Sequence, residues 1–353
     1  MDFNFPEAAP REWRRLGSLL NQAGYSTPVA KELMRVANSP DEILSNSGRF
    51  SLFYLDRLSK IKNPAAVLAV LFMLSGRLAS PDLDVLDPEL LDDLWRLQLI
   101  ERVAGSPDLV RGTVSIVELN GLYFLSDCLF ENIGYDLEIS LRADSCMPPH
   151  ASSLQLLRLL HKGENASSSF LDVGCGSGFQ SIAFASDYDV VYGFDPSARC
   201  VGFARINALV NGCRGEYSVN TWESFEPASP YGHIAFNTPD WPTAFLFIND
   251  GLSKLLANTG VAQISLVCEV TADEGSFESV LEHRIRNKDQ WRINVHERAG
   301  SPFSLSREHI ERGQVPDGSV LVDDPAQSQA FFRGLNQRDV IQVVDATLAI
   351  QHR

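Results

Sequence analysis

Three glycines at alternate positions, Gly174, Gly176 and Gly178, follow the apolar run Phe170-Leu171-Asp172-Val173. Glycine lets the main chain turn sharply there and pass close to a ligand. Phe179 and the residues after it have the apolar spacing of a helix. A strand, a glycine turn and a helix start form the layout that holds nucleotide-like ligands. Asp195 ends a second apolar run about 20 residues later, where a carboxylate can accept ribose hydroxyls. The spacing is GxGxG, not the dinucleotide pattern GxGxxG, and the chain has no GxxxxGK(S/T) phosphate loop.

With its surroundings, this segment resembles the first motif of class I S-adenosylmethionine-dependent methyltransferases. In that family an acidic residue ends strand one just before GxGxG. The resemblance implies that Asp172 holds the cationic end of the methionine moiety, and that Gly174, Gly176 and Gly178 run beneath the cofactor. Phe194-Asp195-Pro196-Ser197 and the helix Ala198–Gly212, with Asn207 and Asn211, are similar to the family's second motif, A+xNxxxNG after an acid. Asn220-Thr221-Trp222 follows strand three, where the family brackets adenine. Asn220 there offers an acceptor for the exocyclic amine. The implied cofactor is S-adenosylmethionine, and the resemblance covers residues 145 to 270.

A fourth segment, Phe236-Asn237-Thr238-Pro239-Asp240-Trp241, bears on the acceptor. It resembles the Asn-Pro-Pro-(Tyr/Phe) motif of amino-methylating enzymes, and the run from Leu154 to Pro242 resembles their release-factor glutamine branch. That likeness implies that Asn237 orients the acceptor and also lies beside the cofactor. Two positions depart from the motif. Thr238 replaces the first proline, and Asp240 stands where the ring belongs. Trp241 offers a ring one position later, and Asp240 offers a base or an anchor for a cation. The expected catalytic residues are therefore Asn237, Asp240 and Trp241. The altered motif points to a small acceptor, an amino-acid-derived or natural-product metabolite, methylated in line at N, O or S. The competing readings are a protein-glutamine or nucleic-acid amino methyltransferase, a non-methylating use of the cofactor such as cyclisation, and a DNA-binding regulator.

These residues need a scaffold. From Ser169 onward apolar strands alternate with helices, which gives an α/β fold. The expected form is a doubly wound, mostly parallel seven-stranded Rossmann-like sheet over residues 145–353. Trp291–Val295 and Val340–Leu348 suit an antiparallel pair at its edge. Ser301–Gln329 reads as an ordered excursion or a flap. Residues 1–144 read as a mainly helical, winged-helix-like domain. Asn63 and Pro64 start a buried helix, and Asp87 and Pro88 start another. Strands at Leu99–Val103, Thr113–Val117 and Leu122–Leu125 follow, with a turn at Gly105-Ser106-Pro107. The second helix carries Glu89, Asp92 and Asp93 against Arg96 alone, so phosphate is repelled. A lid, packing or dimerisation role is the expectation, with a homodimer as one outcome.

The 353 residues carry a formal net charge of −15, with 44% hydrophobic and 21% charged residues. That composition is ordinary for a folded protein. The acidic excess argues against nucleic acid or an anionic membrane as partner. The longest apolar run, Ala65–Leu74, is much shorter than the ~20 residues of a membrane span. No secretory signal is visible, and the six cysteines show no CxxC or scaffold spacing, so a cytoplasmic protein is expected. His150, His233, His296 and His309 lack metal-ligand spacing, and no metal site is expected.

Overall fold

The computed structural model describes residues 3–35, 51–133, 136–139, 142–160, 168–298, 301, 303–316 and 325–353. The elements begin with α1 (Pro10–Gln22), α2 (Thr27–Met34), α3 (Ser51–Leu58), α4 (Pro64–Phe72) and β1 (Arg77–Ala79). Next come α5 (Pro88–Arg96), β2 (Ile100–Val103), β3 (Ser106–Gly112), β4 (Val114–Leu119), β5 (Leu122–Asp127), β6 (Phe130–Ile133) and β7 (Asp136–Ile139). The chain continues through α6 (Ala151–Leu159), β8 (Ser169–Val173), α7 (Phe179–Ala183), β9 (Val190–Asp195), α8 (Ala198–Val210), β10 (Glu216–Val219) and β11 (Tyr231–Asn237). It closes with α9 (Trp241–Leu246), α10 (Leu252–Leu255), β12 (Leu256–Thr271), α11 (Phe277–Arg284), β13 (Trp291–Glu297), α12 (Arg307–Arg312), α13 (Pro325–Gln337) and β14 (Val340–His352). A π-helical turn, Phe247–Gly251, joins α9 to α10.

A seven-stranded mixed sheet has the order β10-β9-β8-β11-β12-β14-β13. Pairs β10/β9, β8/β11 and β11/β12 are parallel. The late strands β14 and β13 pair antiparallel at one edge, as their apolar runs predict.

The chain divides into two compact units. The first comprises Met1–Gln155, Cys175–Ser186 and Val191–Val219. Its core joins Trp13, Leu16 and Leu20 of α1, the apolar α4, and Phe203, Ile206 and Val210 of α8. Helix α4 starts as its sequence dictates: the Asn63 side chain accepts from Ala66 N at 2.8 Å, and Pro64 takes the first position. Asp87 caps α5 through Glu89 N.

Around α5 the hairpin differs from expectation. Strand β3 pairs with both β1 and β2 to give the order β1-β3-β2, and residues from Val114 form a separate hairpin, β4/β5. Ser106-Pro107 reads as a turn, yet Pro107 lies in the bulge between Val103↔Ser106 and Arg102↔Val110, where no ladder N–H is required. The β4/β5 turn uses Asn120 and Gly121, both with positive φ, which suits a hairpin twist.

One carboxylate of the acidic face of α5, Asp93, is buried and paired, while Glu89 and Asp92 stay exposed. Arg15 of α1 bonds Glu89 at 2.6 Å and grips Asp93 through both carboxylate oxygens, while Arg96 bonds Asp93 and Glu12 of α1. Asp93 is fully buried. A buried carboxylate needs paired charge, and the two arginines supply it.

The second unit comprises Leu156–Gly174, Asp187–Val190 and Asn220–Arg353. Its strands bury Phe170, Leu171, Ile234, Phe236, Ile264 and Leu348, the near-continuous apolar pattern of a covered parallel sheet. His233 is a core residue of this unit: it meets Tyr188 Oη at 2.5 Å and Gln263 Oε1 at 2.8 Å. Within the Ser301–Gln329 stretch, Leu305, Ile310 and Val315 cluster with Phe332, Leu335, Val340 and Val343, so that part is an ordered excursion. Its residues 317–324 lie outside the described residues.

Candidate functional site

In the first unit the glycine loop is held from several sides. Gly176 and Gly178 have φ of 53° and 78°, the left-handed region that favours glycine. Cys175 N donates to Phe194 O at 2.9 Å, and Gly178 N to Cys175 O at 2.8 Å. The Asp195 carboxylate accepts Gly176 N at 3.0 Å on one oxygen and Ser197 N at 2.8 Å on the other, bracketing Pro196. Asp195 thus clamps the loop itself, a duty its spacing alone does not reveal. Each oxygen keeps a further lone-pair site for a ligand hydroxyl. Burial pushes the Asp195 carboxyl above its ordinary range, and the Ser197 and Gly176 amides oppose that shift.

The two glycines have different reasons to lack a side chain. A Cβ on Gly178 would lie 3.1 Å from Ile182 Cδ1 and 3.2 Å from Ala204 Cβ, so it serves packing of α7 against α8. A Cβ on Gly176 would meet no heavy atom within 4 Å. There the bare backbone faces open space. Gln180, two residues past Gly178, is 5% exposed, and its side-chain nitrogen has no hydrogen-bond partner. A buried orphan donor costs about 1–3 kcal/mol, and a ligand acceptor would relieve it. Periodicity does not single out Gln180, because it cannot distinguish a buried amide from an apolar helix position.

In the second unit Asp172 is buried on β8, in register with Ala235 of β11. Gly174 has φ of 60°, and a Cβ there would sit 3.3 Å from the Phe236 ring. Phe236 meets Phe247 edge-to-face at 5.1 Å, and Phe247 meets Trp222 at 6.2 Å. Trp222 also fills the space left by Gly251: a Cβ there would fall 2.9 Å from its ring. The π-turn at Phe247–Gly251 therefore shapes an aromatic wall reaching from Gly174 to Trp222. Asn220 Oδ1 accepts Ser224 Oγ at 2.5 Å and Thr221 N at 3.2 Å, so its lone pairs are used within its own turn. Asn220 therefore also serves its own turn.

The acceptor segment is also tied down locally. Asn237 ends β11 and is half-buried. Thr238 donates through N and Oγ1 to Ser265 O, at 3.2 and 2.8 Å. Asp240 caps α9 and accepts Thr243 N at 2.8 Å. The Trp241 ring lies under the Arg284 guanidinium at 4.5 Å, and Glu274 holds that arginine at 2.6 Å. Thr238, Asp240 and Trp241 each serve the local structure in this way.

Residues 149–237 match the family model for ribosomal protein L11 methyltransferase. That span covers every expected cofactor residue and most of the run Leu154–Pro242 that carries the release-factor likeness. No curated protein matches the chain in sequence. Among solved structures, an rRNA methylase from Streptococcus thermophilus shares 14% identity over 56% of this chain and 91% of its own, with a TM-score of 0.33. Ribosomal protein L11 methylase from Lactobacillus delbrueckii subsp. bulgaricus shares 17% over 57% of this chain and 76% of its own, TM-score 0.35. Geranyl diphosphate C-methyltransferase from Streptomyces coelicolor A3(2) shares 14% over 57% and 77%, TM-score 0.38. Overlaps this loose carry no weight for the acceptor. The family match falls on the glycine loop, its acidic partners and the Asn-bearing helix, and it supports a class I methyltransferase with S-adenosylmethionine as its cofactor.

Proposed function

We propose that the chain methylates a small acceptor, an amino-acid-derived or natural-product intermediate, at N, O or S. The observation that carries this reading is the segment Asn237–Trp241. A planar amide or adenine acceptor needs a ring to stack on at the fourth position of that motif. Here the fourth position is Asp240, engaged as a helix cap, and the Trp241 ring is under Arg284. Asn237 keeps its place at the strand end and is the residue proposed to orient the acceptor.

When bound, S-adenosylmethionine supplies an electrophilic methyl group on a positively charged sulfur. The residues proposed to hold it are Asp172, Gly174, Gly176, Gly178, Asp195, Pro196, Asn220, Thr221, Trp222 and Asn237, with Gln180 added by its orphan amide. Asp172 and Asp195 suit an ammonium group and ribose hydroxyls. The bare cradle at Gly176 admits the ligand, and Asp195 fixes its shape. The chain's catalytic contribution is alignment and exclusion of water. Asp240 is proposed as a cap that sets the loop rather than as a base.

Residues 1–144 are proposed to be a winged-helix-like packing module. The support is α5, the helix that would read DNA, which is acidic and is tied to α1 through Arg15–Asp93, Arg15–Glu89 and Arg96–Glu12. Dimerisation is the other role this module allows.

The test is transfer of labelled methyl from S-adenosylmethionine into cell extract divided by ultrafiltration. Label in the small-molecule fraction supports the reading; label confined to protein or nucleic acid overturns it. A gain of glutamine or adenine methylation in Thr238→Pro with Asp240→Tyr would instead favour the release-factor-like or adenine-type branch, with Asn237 as the shared residue.

A further inference from the structure

Among the described residues, strand β5 has β4 as its strand partner on one side, so its other edge must find hydrogen bonds elsewhere. Two asparagines of α8 fill that edge. Asn211 accepts Tyr123 N at 2.8 Å and donates to Tyr123 O at 2.7 Å. Asn207 accepts Leu125 N at 2.8 Å and donates to Leu125 O at 2.9 Å. The spacing has a geometric reason. Four helical residues rise about 6 Å, and two strand residues about 6.8 Å. Asparagines at i and i+4 therefore keep step with alternate residues of a strand.

Asn207 does one thing more. Its amide also donates to Ser177 O at 2.9 Å, in the glycine loop between Gly176 and Gly178. The side chain is fully buried, and both of its amide hydrogens and one lone pair of its oxygen are used. The loop is then gripped at two adjacent residues: Asp195 takes the Gly176 N–H, and Asn207 takes the Ser177 carbonyl.

We propose that Asn207 is a positioning residue for the cofactor loop, joining Ser177 to strand β5 through one amide and so making cofactor affinity depend on the N-terminal region. This rests on the cofactor reading of the glycine loop. It gives a physical reason for the first asparagine of the helix pattern, which otherwise reads only as a family signature. Asn211 makes the same kind of strand contact without reaching the loop, so it is the matched control.

The experiment uses the full chain with Asn207→Leu, Asn207→Asp and Asn211→Leu. Asn207→Asp keeps an acceptor for Leu125 N but loses both donors, and it serves if the leucine variant fails to fold. Two readouts are taken: amide hydrogen exchange of residues 175–178 without ligand, and calorimetric affinity for S-adenosylhomocysteine. Both Asn207 variants should raise loop exchange and weaken binding about tenfold, the scale of one well-made hydrogen bond. Asn211→Leu should leave both within about twofold, below the effect of one hydrogen bond. Unchanged loop exchange in a folded Asn207 variant overturns the proposal. So does an equal effect from Asn211→Leu, which would mark general loosening. If the wild-type chain binds no S-adenosylhomocysteine, the cofactor reading of the loop fails, while the exchange result still decides whether Asn207 positions the loop.

Discussion

Replacing Gly176 with alanine separates the cofactor cradle from the fold around it. The backbone there has φ of 53°, and a left-handed conformation costs a non-glycine residue about 1–2 kcal/mol. Restricting the unfolded chain returns about 0.4–1 kcal/mol. The new Cβ meets no heavy atom within 4 Å, so no packing strain adds to this. The net stability loss should be about 1 kcal/mol. Gly178→Ala is the contrast. Its φ is 78°, and its Cβ would press on Ile182 and Ala204 at 3.1 and 3.2 Å. Overpacking adds about 1–3 kcal/mol to the backbone term. Thermal unfolding should therefore rank Gly178→Ala as the less stable variant. Calorimetry with S-adenosylhomocysteine should show more than tenfold weaker binding for Gly176→Ala, beyond its stability loss of about 1 kcal/mol. Wild-type affinity in Gly176→Ala would refute the assignment of the open space to the cofactor.

Other expectations follow from single contacts. Gln180→Leu removes a buried orphan donor, so the ligand-free protein should gain stability while cofactor affinity falls; a loss of both would contradict the role given to that amide. The Asp195 carboxyl is raised in the folded state, so its linkage contribution to stability is full below the unfolded carboxylate range and is lost as pH rises through the folded value. Cofactor affinity should move the other way, falling as Asp195 protonates, and a binding profile flat across that window would remove its ribose role. Asp240→Asn keeps a capping side chain and should retain turnover within a few-fold, whereas Asp240→Ala should cost about 1 kcal/mol of stability. Abolished turnover in the asparagine variant would make Asp240 a catalytic carboxylate.

The strand–glycine–helix unit and the capped helices were legible because local chemistry decides them. Asn63-Pro64, Asp87-Pro88 and the late apolar runs Trp291–Val295 and Val340–Leu348 each state their structure within a few residues. Strand β3 was hidden because Ser106-Pro107 is turn chemistry, and only the bulge against β2 makes it strand. The duties of Asp195, Asn207 and Asn220 toward neighbouring backbone were also hidden. They depend on partners 19, 30 and 82 residues away for the first two, and on a hydroxyl within the same turn for the third. The burial of Asp93 on α5 needs α1, more than 70 residues earlier in the chain, with Arg15 and Asp93 separated by 78 positions. No periodicity connects such distances.

The central claim is that this chain binds S-adenosylmethionine through the glycine loop and Asp195. Calorimetric titration of the full chain with S-adenosylmethionine and S-adenosylhomocysteine tests it most directly. One site per chain should be seen, weakened at least tenfold by Asp195→Ala, about the worth of one charged hydrogen bond. An absence of binding, or binding that Asp195→Ala leaves unchanged, would contradict it.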